Sequence, residues 1–153
     1  MDFLTAFKTA DLAGKLGSTV SSALKSAKGH KRRLLLELQT NIDLIELWQM
    51  KRFPIDKVIL KLERKHYESA LSDDFNFNGL KRSALPQATT RGVPQFQAYV
   101  GWSTERLIDN IYRKIKQLQD IVEMDTENRR IDKAARLGNI YKLMILLVHH
   151  IAQ

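Results

Sequence analysis

Through most of this chain apolar residues return every three or four positions, the repeat of a helix that buries one face. Leu35, Leu38, Ile42 and Ile45 step in this way, then Ile55, Val58, Ile59 and Leu62, then Leu107, Ile111, Ile115, Leu118 and Val122. No segment alternates as a half-buried strand does, and no internal repeat of fixed period is evident. The expectation is an all-α fold: an antiparallel bundle of four or five helices, with a long irregular connection over about residues 72–102. With 153 residues, the chain is long enough to bury such a core as a single domain, residues 1–153, without disulfides or metal. Residues 1–28 stand out within it as a separable amphipathic helix.

The first helix is expected over about residues 2–28. Leu12, Leu16, Val20 and Leu24 form one stripe, while Ala10, Gly14, Ser18, Ser22 and Ser26 form a ladder of small residues on nearly the opposite side. Gly29 and His30 mark a break. In the second helix, residues 31–52, Leu34, Leu44, Leu47 and Trp48 widen the stripe, which predicts a central helix contacted on more than one side. Phe53-Pro54 ends it, and Pro54 suits the first turn of a third helix reaching about Leu71. Ser103 as N-cap, Glu105 in the first turn and Trp102 with Leu107 at the staple positions begin a fourth helix. Asp125 or Thr126 is expected to cap a fifth, running to about Ile151.

Between the third and fourth helices, Ser72 to Asp74 and Asn76 to Gly79 are turn chemistry, and Pro86, Gly92, Pro94 and Gly101 punctuate the remainder of the connection. The stretch also holds Phe75, Phe77, Phe96, Tyr99 and Trp102. A solvated linker has no use for these. Much of it is therefore expected to cross the bundle as an ordered strap, with the five aromatics as a candidate interaction surface.

Charge is unevenly placed. Of the formal +8, residues 1–33 hold Lys8, Lys15, Lys25, Lys28, Lys31, Arg32 and Arg33 against Asp2 and Asp11, a surplus of five. These seven cations are candidate contacts for an anionic partner, a membrane ahead of a nucleic acid. The competing reading makes Lys28 to Arg33 a solvated junction between helices. Phe3, Leu4, Phe7, Leu12 and Leu16 are candidate membrane-facing residues, since a basic amphipathic helix can lie in an anionic interface. Packing of that helix into the bundle is the simpler alternative. Lys81, Arg82 and Arg91, near Phe77, Phe96 and Tyr99, offer charge plus stacking to a nucleic acid, but no recognised module frames them.

Catalytic signatures are missing. The sequence has no cysteine, which excludes thiolate nucleophiles and thiolate metal sites. Glu63 and His66 have the ligand spacing of di-iron bundles, but such sites need a second motif and two further glutamates. His149 and His150 point about 100° apart on a helix and do not share an ion easily; they read as cations opposing a helix dipole. The arginine–histidine spacing of small helical ribonucleases is absent, Arg136 lying too far before His149 and Arg64 too close to His66. Gly14-Lys15-Leu16-Gly17 has no strand before it and is no phosphate loop. No catalytic residue, metal or cofactor is expected. The amino-terminal segment has neither the basic start nor the uninterrupted apolar stretch of a secretory signal, so a cytoplasmic location is expected. These readings converge on a non-enzymatic helical interaction module acting through a protein partner or self-association. A membrane-active effector is the alternative, and a nucleic-acid-binding domain the third.

Overall fold

The computed structural model describes residues 21–51, 53–90, 93–124 and 131–152. All regular structure among them is helical. Residues 21–26 form a helical segment. After it come α1 (Gly29–Gln49), α2 (Ile55–Lys61), α3 (Lys65–Ser72), α4 (Thr104–Met124) and α5 (Lys133–Ala152). Three 3-10 turns, Phe77–Gly79, Gln87–Thr90 and Pro94–Tyr99, lie between α3 and α4. The break expected at Gly29 is present: Lys28 is extended and Gly29 has φ +57°, in the left-handed region that glycine enters without strain.

The core is built around α5. Leu137, Ile140, Tyr141 and every residue from Leu143 to Val148 are buried, so apolar side chains are enclosed on all sides of this helix. The widened stripe of residues 31–52 predicts a central α1 contacted on more than one side; α1 does meet α2, α3 and α5, but α5 is the more deeply enclosed. α1 buries Leu34, Leu35, Glu37, Leu38, Asn41, Ile42 and Ile45, while Leu36 is exposed and Leu44 and Trp48 are half-buried at the margin. The continuous apolar run of α5 has more surface to hide and takes the middle.

The expected third helix is interrupted. Its residues divide into α2 and α3, with Leu62 at ψ 133° leaving the helical region. A break frees backbone groups that must be paired when buried, and polar side chains from two other helices do this. Asn41 Nδ2 donates to the Glu63 carbonyl at 2.9 Å, and Asn41 Oδ1 accepts the Glu63 N–H at 2.7 Å. Gln119 Nε2 donates to the carbonyls of Ile59 and Leu62, at 3.0 and 2.8 Å. Its Oε1 accepts from Arg64 Nε at 2.8 Å. The carboxylate of Glu37, buried in α1, accepts the N–H groups of His66 and Tyr67 at 2.7 and 3.1 Å. It thereby caps α3, where the helix dipole favours an anion.

Ser103 caps α4 as expected, its Oγ accepting the Arg106 N–H at 3.2 Å. Asn78 adds a second clasp, accepting the Glu105 N–H at 3.0 Å and donating to its carboxylate at 3.2 Å. At the staple positions Leu107 is fully buried, and Trp102 lies half-buried beneath the Arg106 guanidinium, 3.9 Å from its ring centre. Asp125 and Thr126 lie outside the described residues. The cap of α5 is Asp132, whose Oδ1 accepts the Ala135 N–H at 2.9 Å.

The described residues of the connection between α3 and α4 pack on the helices as a strap. Leu80, Leu85, Val93 and Phe96 reach into the core from it. Its base closes on itself, since the Leu85 N–H donates to the Trp102 carbonyl and the Gly101 N–H to the Leu85 carbonyl, both at 2.9 Å.

Candidate functional site

A cleft of about 310 Å3 opens where α3 meets α4. Tyr67 and Leu71 form one wall with Phe77, and Glu105, Arg106 and Asp109 form the other. The Tyr67 hydroxyl donates to Asp109 Oδ1 at 3.2 Å, and its ring stacks on Tyr112 at 4.2 Å between centres. Burial, followed by the charge of Asp109, pushes the Tyr67 phenol up to about 12, so it keeps its proton at neutral pH. Ser103, at the rim, commits its oxygen to the α4 cap. Glu105 is held by Asn78, and Asp109 also faces Arg113 at 3.7 Å. These groups can meet a polar partner from solvent. None of them forms the nucleophile–base pair that covalent catalysis requires.

The five strap aromatics do not form one outward face. Phe77 and Phe96 are core residues, 3% and 2% exposed, while Phe75, Tyr99 and Trp102 are half-buried against that core. Their apolar area outweighs the polarity of the turns around them, and the chain folds it inward. Of the basic candidates, Lys25, Lys28, Arg32 and Arg33 are exposed and Lys31 is half-buried. Two of them are tied within the chain. Arg32 Nη1 donates to the Leu24 carbonyl at 2.7 Å, and Arg33 Nη2 donates to His30 Nδ1 at 3.3 Å. His30 itself contacts Asp73 at 2.9 Å. Phe3, Leu4, Phe7, Lys8, Leu12, Lys15, Leu16 and Arg91 lie outside the described residues.

Glu63 and His66 do not share a helix face, because the break between α2 and α3 separates them. Among the described residues no group of three or more His, Asp or Glu side chains is placed to hold a metal. His150 also departs from expectation. It is not a solvated cation at a helix end but a buried side chain, with Nε2 3.1 Å from the Ser83 carbonyl and 3.3 Å from Thr104 Oγ1. Burial lowers its affinity for a second proton.

Comparison with family models, curated proteins and solved structures finds no match. The functional reading therefore stands on surface chemistry. No helix among the described residues is long and apolar enough to cross a membrane. Several large apolar side chains are exposed, among them Leu60 and Leu71, 47% and 49% exposed. Met50 and Phe53, on the turn between α1 and α2, are 53% and 50% exposed, and Met124, closing α4, is 85% exposed. Lys133 Nζ, at the start of α5, reaches Asp56 at 3.0 Å and so brings α5 to the same turn. Met50, Phe53 and Met124 lie off the buried stripes, so periodicity gives no sign of them. The one signal in the sequence is the presence of large apolar residues at helix ends and turns.

Proposed function

We propose that this protein is a non-enzymatic helical interaction module, acting through a protein partner or through a second copy of itself. The fold behind this reading is an antiparallel bundle. Thr104 at the start of α4 meets His150 near the end of α5, the relation expected of neighbours running in opposite senses. The observation that supports this reading is the exposure of Met50, Phe53 and Met124 to solvent. Large apolar side chains in the open are more common at contact surfaces than elsewhere, and methionine and aromatic residues are enriched at the centres of such surfaces. Sedimentation velocity across a concentration series, with crosslinking from a photoreactive residue at position 53, tests this. A dimer, or one saturable crosslinked partner lost in the Met50→Ser, Phe53→Ser, Met124→Ser triple variant, is expected. A monomer that crosslinks to nothing above background sinks the proposal.

A second reading, anionic membrane binding, draws support from the exposed Lys25, Lys28, Arg32 and Arg33. Co-sedimentation with anionic and neutral vesicles at two salt concentrations tests it. Equal recovery with both lipids removes it.

A further inference from the structure

The base of the strap is hydrogen-bonded to α4 and α5. Thr104 Oγ1 donates to the Lys81 carbonyl at 2.7 Å. Beside it, His150 Nε2 approaches the Ser83 carbonyl at 3.1 Å and Thr104 Oγ1 at 3.3 Å. The hydroxyl has one proton and gives it to Lys81, and a carbonyl only accepts. Nε2 must therefore carry the imidazole hydrogen and donate it to Ser83. That leaves Nδ1 as the bare nitrogen, buried and without a hydrogen-bond partner. The whole residue is 1% exposed.

A second proton on this ring would go to Nδ1, where nothing accepts it. The charges that act on the site are cationic, Lys81 on the strap and His149 on the same helix as His150. From α4 it is faced by the neutral hydroxyl of Thr104. The hydrogen bond to Ser83 favours a charged imidazole, but burial, the leading cause, and the two cations disfavour it, and its second proton would find no acceptor at Nδ1.

We infer that His150 is a proton-sensitive latch, which holds the strap base on α5 when neutral and releases it when protonated. Burial, the leading cause, sets the proton affinity of the folded ring below the ordinary value of 6.5. The neutral form is the one the fold prefers, so the latch is at full strength above pH 6.5. It weakens as pH falls through the lower folded value. Release frees Ser83 and the adjoining Leu85, and with Leu85 goes the pairing to Gly101 and Trp102 that closes the strap. Acidification then uncovers apolar side chains that are enclosed at neutral pH.

Trp102 reports on that closure. The full chain is labelled with 5-fluorotryptophan, and the Trp102 fluorine resonance, assigned with Trp48→Phe, is followed from pH 8 to 5. A reversible shift with a midpoint below 6.5 is expected, with the helical circular dichroism unchanged. The shift should vanish in His150→Gln, whose amide still donates to Ser83 but does not titrate. A flat Trp102 resonance, or the same transition in His150→Gln, overturns the inference. Should that variant not fold, the His150 ring of the unaltered chain is titrated by carbon NMR. Coincidence of its midpoint with that of Trp102 is then expected, and separate midpoints overturn it.

Discussion

Lys51 ends α1 with φ 57°, at a position where helices commonly place glycine. The left-handed region costs a side-chain-bearing residue about 1 kcal/mol or more. Lys51→Gly is therefore expected to stabilise the fold by about 1 kcal/mol, seen as a melting temperature about 2–4 °C higher. Gly138 is the opposite case, a buried glycine inside α5 where an added Cβ would meet nothing within 4 Å beyond its chain neighbours and its own helix backbone. Gly138→Ala should stabilise by about 0.5–1 kcal/mol through the entropy removed from the unfolded chain, and a lower melting point would show that the site has no room. The roles of Glu37, Asn41 and Gln119 are illegible in the sequence for a plain reason. Their partners are backbone groups 22 to 60 residues away, and a backbone group has no letter in a sequence.

Capping is local chemistry, and where it is local it is legible. Ser103 precedes an apolar stripe and is followed by Glu105, and the α4 cap sits where those letters put it. Ser103→Ala should cost about 1 kcal/mol, measurable by urea unfolding with the slope unchanged. The start of α5 is harder to place, because Asp125, Thr126 and Asp132 are all acceptable caps. The break between α2 and α3 leaves no trace at all. Ile55, Ile59, Leu62 and His66 keep helical spacing straight across it, while Asn41 and Gln119 supply the bonds that offset its cost. Asn41→Ala leaves both backbone groups of Glu63 without those partners, and each unsatisfied buried group costs about 1–3 kcal/mol. Hydrogen exchange should then lose its protection at the Glu63 amide before α1 and α4 open. Undiminished protection there would show that the break holds itself.

At the scale of the whole molecule, the all-helical class follows from periodicity alone, whereas the identity of the central helix does not. Stripe width favours residues 31–52, and the unbroken apolar run of Leu143 to Val148 decides the matter. Position in a core depends on which helix has most to hide, a comparison among helices and not a property of one. Burial of the strap aromatics has the same origin: turn residues mark the strap as irregular, but only the space left beside α4 and α5 determines that Phe77 and Phe96 fill it. A chain ending at residue 130 should lack a cooperative thermal transition and bind the dye ANS, as compact states without fixed packing do. A sharp transition in that fragment would mean that α1 to α4 form a core without α5.

The enclosure of α5 also sets an order of events in biosynthesis. Residues 137–151, which the other helices surround, are made after all of those helices. Until they emerge, the apolar faces of α1, α2 and α4 lack the helix they pack against. The nascent chain therefore cannot complete this core until α5 clears the exit tunnel. That interval, more than the finished protein, is when it is exposed to aggregation and dependent on holding chaperones.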